Sequence, residues 1–391
     1  MNRRRAWTMA IFLFVFADAI AMQARGPILS NLEAAFGVSE AALGLVAPAG
    51  TIGFLAVVVT VGLLAGRIRV RRALFLGTTL TACALIAMAV APRYAVFLGA
   101  LLVQGGAAGV FRGVDRVVLS HLHADRRGRM FTGYAFVWAI GAVLGPQLVT
   151  GVLAVADWRA VFVVISLCFL PTAAIAARSE LPSMDAERSL SRTDLRALFR
   201  RPAVVGACTG MVFVGALEGI LFTWLAYYAG TFYGTTTANL VLSAYLLAYV
   251  PARLGYTFAI ERVPYLALLA AVTLPAVPAL AVAFSGVTGP VLFLAVFVAG
   301  GSISGGFPTL AAYAVETAPE YSGPLNALTT GATYAGLAIA PPIVGLLAET
   351  YGIGRALWST VCIALALLAT VATLWHWTGT PDVPRAEMTA D

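Results

Sequence analysis

The sequence predicts an all-α integral membrane protein of about 12 transmembrane helices, arranged as two pseudo-symmetric six-helix bundles. Three observations carry this prediction. Only 11% of the 391 residues are charged and 60% are hydrophobic, with a mean hydropathy of +0.90, whereas a soluble chain carries about 25% charged residues. The apolar residues gather into roughly twelve stretches of about 18–25 residues, each long enough to cross a hydrocarbon core of ~30 Å as a helix. The second half also repeats the first: an offset of ~195 places Gly105-Gly106 on Gly300-Gly301, Arg67 on Arg262 and Gly128 on Gly323.

The first stretch covers roughly residues 6–29 and follows Arg3-Arg4-Arg5, an opening similar to a secretory signal. Asp18 interrupts its apolar run and many more spans follow, so an uncleaved first helix is expected. Five more spans are expected over about 41–65, 73–91, 95–118, 131–154 and 159–177. A charged stretch from Arg178 to Arg201 then mixes arginines with Glu180, Asp185, Glu187 and Asp194, and reads as a cytoplasmic linker. Six further spans are expected over about 203–228, 238–258, 265–284, 290–314, 325–347 and 355–377. The expected division is therefore a bundle over 1–177, a linker over 178–202 and a bundle over 203–391. Two six-span copies share one orientation, so they are related by an axis along the membrane normal.

The formal net charge is +7, and every one of the 25 Lys or Arg positions is arginine, because the chain contains no lysine. The arginines are not gathered into a basic domain, so no nucleic-acid partner is expected. Arg3 to Arg5, Arg67 to Arg72, Arg126 to Arg129 and the stretch from Arg178 to Arg201 recur after every second span. The intervening loops offer little beyond Arg93, Arg159 and Arg355. The positive-inside rule then puts both termini in the cytoplasm. The lysine-free composition suggests a GC-rich prokaryotic genome, and with it the cytoplasmic (inner) membrane. Cys83, Cys168, Cys208 and Cys362 sit inside apolar spans without Cys-x-x-Cys spacing, so packing is expected of them rather than bridging or metal binding. No cofactor is expected.

Several segments resemble the major facilitator superfamily over essentially the whole chain. The family's loop between the second and third spans, Gly-x-x-x-Asp-Arg-x-Gly-Arg-Arg, corresponds here to Gly62-Leu63-Leu64-Ala65-Gly66-Arg67-Ile68-Arg69-Val70-Arg71-Arg72. Gly66 replaces the aspartate, while the second half keeps an acid-base pair at Glu261-Arg262. Leu102-Val103-Gln104-Gly105-Gly106 is similar to the family's Arg-x-x-Gln-Gly segment, with Leu101 in place of its membrane arginine. Arg126-Arg127-Gly128-Arg129 is similar to its Arg-Gly turn, and Asp157-Trp158-Arg159-Ala160-Val161-Phe162 to the opening of its sixth span. Gly141-Ala142-Val143-Leu144-Gly145-Pro146 resembles the fifth-span motif of proton-driven exporters, although Val149-Thr150 precede Gly151 where that motif has Gly-Gly. The resemblance implies a secondary transporter working by alternating access, with Gly62, Arg67, Arg71, Gly141, Gly145, Pro146, Glu261 and Arg262 serving conformational change.

Charges inside the spans are the candidate working groups, since an ionised side chain at the bilayer centre costs roughly 2.5–3.5 kcal/mol even on insertion scales. Asp18 lies about 16 Å into the first span at ~1.5 Å per residue. Glu218 reaches a comparable depth in the seventh, and each is a proton-coupling candidate or a structural hydrogen-bonding group. Arg112, Asp115 and Arg116 follow i, i+3, i+4 spacing on one helical face, where the acid offsets the bases; they form a cavity-lining charge cluster or an interfacial snorkelling set. Arg25, near the outer end of the first span, is expected to anchor at the interface. Tyr245, Tyr249, Arg253 and Tyr256 make a polar stripe along the eighth span, suited to a bound solute or to packing between helices. Gln104 and Gln147 are further cavity candidates. Gly141/Gly145 and Gly105/Gly109 suit close helix approach.

A membrane-embedded enzyme would need a nucleophile-base pair or a metal cluster within the spans, and neither is evident. His121, His123 and His376 lie in a loop and at the chain's end, and without lysine there is no phosphate-binding Gly-x-x-x-x-Gly-Lys loop. The expected function is proton-coupled transport of a small solute by a monomer in the lipid bilayer. Export of small organic or toxic compounds stands slightly ahead of uptake of a metabolite or organic anion, and a non-transporting receptor is a remote alternative.

Overall fold

The computed structural model describes residues 3–63, 69–123, 126–179, 198, 200–260, 262–317 and 321–378. The expected linker over 178–202, and with it Arg67 and Glu261, falls largely or wholly outside these residues. Eleven helices among the described residues are long and apolar enough to cross a membrane. The eighth span, broken into Thr235–Leu247 and Tyr249–Ala259, completes a set of about twelve. The chain is thus an all-α membrane protein, as its hydropathy predicts.

Several spans are interrupted, two of them beside a proline and one at Gly113-Val114. The first span runs Arg3–Phe36, longer than expected, as a helix to Gln23, a 3₁₀ turn over Gly26–Ile28 and a second helix Leu29–Phe36. Pro27 sits in the turn, where its missing N–H is tolerated. The helix ends at Gly37 with φ +62°, a left-handed conformation that favours glycine. In the eighth span Pro251 removes the N–H that would bond the Leu247 carbonyl, and the break falls at Ala248 between the two helices. The fourth span divides into Tyr94–Arg112 and Asp115–Leu122 around Gly113-Val114. One continuous helical face carrying Arg112, Asp115 and Arg116 is therefore corrected to a long helix and a short one meeting between Arg112 and Asp115.

Packing groups the chain into two compact units. One comprises Met1–Ser189, Leu221–Ser243 and Pro341–Ile353; the other comprises Leu190–Ile220, Ala244–Ala340 and Gly354–Asp391. In the first, Gly105 of the fourth span abuts the carbonyl of Gly50 in the second span, and Gly141 of the fifth abuts the carbonyl of Phe16 in the first. The second unit repeats both approaches, Gly300 against the carbonyl of Tyr245 and Gly336 against that of Val212. The ~195-residue repeat read from sequence thus recurs as backbone-to-backbone packing. Small residues permit such approach in lipid, where association depends on van der Waals contact rather than on apolar burial.

Aromatic packing fills the interior of the first unit. Phe14 stacks on Phe111 with ring centroids 3.6 Å apart, while Phe97 meets Trp158 and Phe162 edge-on. Its segment Leu221–Ser243 is tied to first-half spans by side chains. Asn239 donates to Thr150 at 2.9 Å, Gln147 to Ser243 at 2.9 Å, and Ser243 to the Val143 carbonyl at 3.0 Å. The Tyr227 hydroxyl lies 3.0 Å from Glu33 and 3.1 Å from Glu40. Large apolar side chains such as Leu294 and Phe258 are exposed within spans, as lipid-facing positions require. Cys83 and Cys362 are exposed too, which corrects their expected packing role.

Candidate functional site

In the first unit, charge inside the spans converges on Arg112. Its Nη1 donates to Asp18 Oδ2 at 3.0 Å, and its Nε lies 3.7 Å from Asp115 Oδ2. Tyr134 of the fifth span donates its hydroxyl to the same Asp115 oxygen at 2.6 Å. The Arg112 and Arg116 guanidinium groups stand 5.3 and 5.4 Å from the centre of the Tyr134 ring, within cation–π range. Asp115 is fully buried, Asp18 and Arg112 are only 17% and 11% exposed, and Arg116 is exposed. Two carboxylates thus approach one guanidinium, at different nitrogens. Sequence spacing joined Arg112, Asp115 and Arg116; the fold adds Asp18 and Tyr134, which no local pattern connects to them.

Two buried glutamines belong to the same unit. Gln104 is buried, and its Oε1 accepts from Arg25 at 2.8 Å. The Arg25 guanidinium packs on Gly50, where a Cβ would sit 2.6 Å from Nη1. Arg25 is therefore corrected from an interface anchor to a half-buried group held between the first, second and fourth spans. Gln23 ends the first helix with 0% exposure, against Gly145 of the fifth span. Among the described residues neither Gln23 amide atom has a hydrogen-bond partner, nor does Gln104 Nε2. Each unmatched buried polar group costs about 1–3 kcal/mol. Gln23 was not singled out by sequence; the readable signal was a lone amide in an apolar run.

The second unit holds a smaller set. Glu218 in the seventh span is 8% exposed and accepts from the Tyr249 hydroxyl at 3.1 Å. Tyr249 and Tyr245 are buried with their hydroxyls 2.9 Å apart, and the Arg253 guanidinium lies 5.0 Å from the Tyr249 ring centre. The break at Ala248 separates Tyr245 from Tyr249 and Arg253, yet the hydroxyl chain from Tyr245 through Tyr249 to Glu218 crosses it. Tyr256 leaves the stripe: its hydroxyl donates to the Gly301 carbonyl at 2.7 Å and its ring packs on Gly305.

The remaining expected groups have structural partners. Gln147 donates to Ser243. Arg71 donates to the carbonyls of Ala176 and Ala177, at the end of the sixth span, where a cation offsets the helix dipole. Arg262 likewise donates to Phe258, near the end of the eighth span. A Cβ at Gly141 would lie 2.5 Å from the Phe16 carbonyl, and one at Gly145 would lie 2.9 Å from the Gln23 Cβ, so both glycines serve close approach of the first and fifth spans. Pro146 stays within the fifth helix, and its carbonyl accepts from Thr150. Gly62 lies in the helix Val46–Leu63. Among the described residues there is no group of three or more His, Cys, Asp or Glu that could hold a metal ion.

Known proteins place this arrangement. Over 96% of the chain and 100% of its own, a point mutant of the nucleoside transporter NupG superposes with a TM-score of 0.83 at 13% identity. A bacterial homologue of the human lysosomal transporter Spinster, inward-facing and occupied, gives 0.78 at 14% identity over 96% and 97% of the two chains. A D-xylose-proton symporter gives 0.80 at 13% identity over 97% and 98%. At such identities the likeness is one of fold. No curated protein sequence matches the chain. The family model described as Major Facilitator Superfamily matches residues 11–239, more than half of the chain. The repeated six-span halves, the glycine approaches they share and this match lead to one conclusion: the chain belongs to the major facilitator superfamily of transporters.

Proposed function

We propose that this transporter is proton-coupled and moves a small organic solute by alternating access, with Glu218 and Asp18 as the groups that exchange protons. The observation that carries the reading is Glu218, a carboxylate buried within a span and held by the Tyr249 hydroxyl at 3.1 Å beside Arg253. Protonating a carboxylate in such a site removes its charge and releases the cation and hydroxyl that face it. In the first half the same event at Asp18 would leave Arg112 to Asp115, 3.7 Å away. One proton would then move an arginine between two acids, a discrete change of the kind a rocking bundle can use.

Antiport, exporting small organic or toxic compounds, is the direction we favour, on the fifth-span resemblance. Uptake of a polar metabolite by symport is the second reading, supported by the buried amides of Gln23 and Gln104. The bundles over 1–177 and 203–391 would be the moving bodies, in a monomer of the prokaryotic inner membrane with both termini cytoplasmic. The test begins with thermal stability of the purified protein against pooled metabolites and toxic compounds, since ligand at 100 times its dissociation constant stabilises by ~2.7 kcal/mol. Flux of each hit into liposomes is then measured with and without a pH gradient. Accumulation that ignores the gradient overturns proton coupling.

A further inference from the structure

Gln23 and Gln104 share a property that neither packing nor proton exchange uses. Both are buried side chains in the first unit, at 0% and 1% exposure, and both keep amide atoms without a partner among the described residues. On Gln23 these are the donor and the acceptor together; on Gln104 only the donor remains, because Arg25 holds the carbonyl at 2.8 Å. Their positions are built rather than incidental. Gly145 brings the fifth span against the Gln23 stem, and Gly50 makes room for the arginine that orients Gln104. A residue needed only to fill this space would be Leu or Met, which have similar volume and no amide to satisfy.

We infer that Gln23 and Gln104 are specificity-determining residues that read an uncharged, hydrogen-bonding solute, one carrying an amide, hydroxyl or nucleobase-type edge. The inference rests on the transporter reading given above. A neutral donor-acceptor pair and a fixed amide donor match a solute that offers acceptors and a donor of its own. They offer a permanent lipophilic cation nothing in exchange for its hydration. A site built to hydrogen-bond its solute discriminates strongly against analogues lacking those groups, because its own polar atoms are then left unmatched.

The test uses the full-length protein in detergent and reads binding rather than flux. Thermal midpoints are recorded against uridine, nicotinamide and D-glucose as neutral probes, tetraphenylphosphonium as a lipophilic cation and benzoate as an anion. At least one neutral probe is expected to raise the wild-type midpoint. Q23L and Q104L are each expected to weaken its half-saturating concentration at least tenfold, and Q104N to recover part of that loss. Q23L without any probe is expected to melt no lower than wild type, which separates lost recognition from lost folding. A neutral probe that acts equally on wild type and Q23L, a bound water being all the amide holds, overturns the inference. So does a wild type that answers only to tetraphenylphosphonium or benzoate, or to none of the probes. E218Q is run alongside: it fails in gradient-driven flux if the proton reading holds, so the two readings fail in different assays.

Discussion

At the scale of single residues the proposed proton coupling rests on Asp18 and Glu218, and each was visible in the sequence as a charge inside an apolar stretch. Asp18→Asn and Glu218→Gln should abolish accumulation driven by a pH gradient while leaving counterflow exchange partly intact. Gradient-driven transport at full rate in both would exclude these residues as the coupling groups. Arg112→Leu leaves two carboxylates, Asp18 and Asp115, without the guanidinium that faces them. Removing one partner of a buried ion pair costs roughly 3–5 kcal/mol. The unfolding midpoint of Arg112→Leu should therefore drop well below that of wild type, and adding Asp18→Asn should restore part of it. A double variant less stable than the single would mean that Asp18 and Arg112 are not coupled. Tyr134 escaped the sequence reading because an apolar fifth span does not reveal which of its residues will meet an aspartate 19 positions away.

Span length and hydropathy were legible at the scale of elements, and so was the use of small residues. Gly141 and Gly151 share one helix but differ in surroundings. A Cβ at Gly141 would lie 2.5 Å from the Phe16 carbonyl, whereas one at Gly151 meets nothing within 4 Å. Gly141→Leu is thus expected to lower the thermal midpoint and the yield of folded protein strongly, because two backbones would have to separate. Gly151→Leu should leave both nearly unchanged, and equal behaviour of the two variants would refute the packing assignment. The breaks were less legible. Pro27 and Pro251 announce theirs through a missing N–H, but the interruption at Gly113-Val114 has no comparable signature, so the i, i+4 reading of Arg112 and Arg116 assumed a helix that does not continue. The tyrosine stripe shows the same limit: Tyr249 reaches Glu218 while Tyr256 caps a carbonyl, a difference set by the neighbouring helix.

At the scale of the whole molecule, the bonds that tie the segment Leu221–Ser243 to first-half spans bear on the transport cycle. Asn239 and Thr150 are hydrogen-bonded at 2.9 Å. With Cys83, Cys168, Cys208 and Cys362 changed to Ser, the pair Thr150→Cys and Asn239→Cys should form a disulfide under mild oxidation. If the seam opens in each cycle, cross-linking should arrest transport and reductant should restore it; undiminished transport by the cross-linked protein would show that the seam stays shut. Reporter fusions test orientation: alkaline phosphatase joined after Ala156 should be active outside the cytoplasm, and inactive when joined after Arg129. By itself the sequence determined the membrane class, the approximate spans and the internal repeat, and it supplied the expected orientation. Hydropathy and arginine distribution record the solvent each segment meets, and that information is local. Only the tertiary structure decided that Asp18 meets Arg112 across 94 positions, that Arg25 turns inward to Gln104, and that Gln23 is buried with its amide unmatched among the described residues. Those pairings depend on which faces of distant helices come together, and in a chain whose spans are nearly all apolar no periodicity marks the inward face.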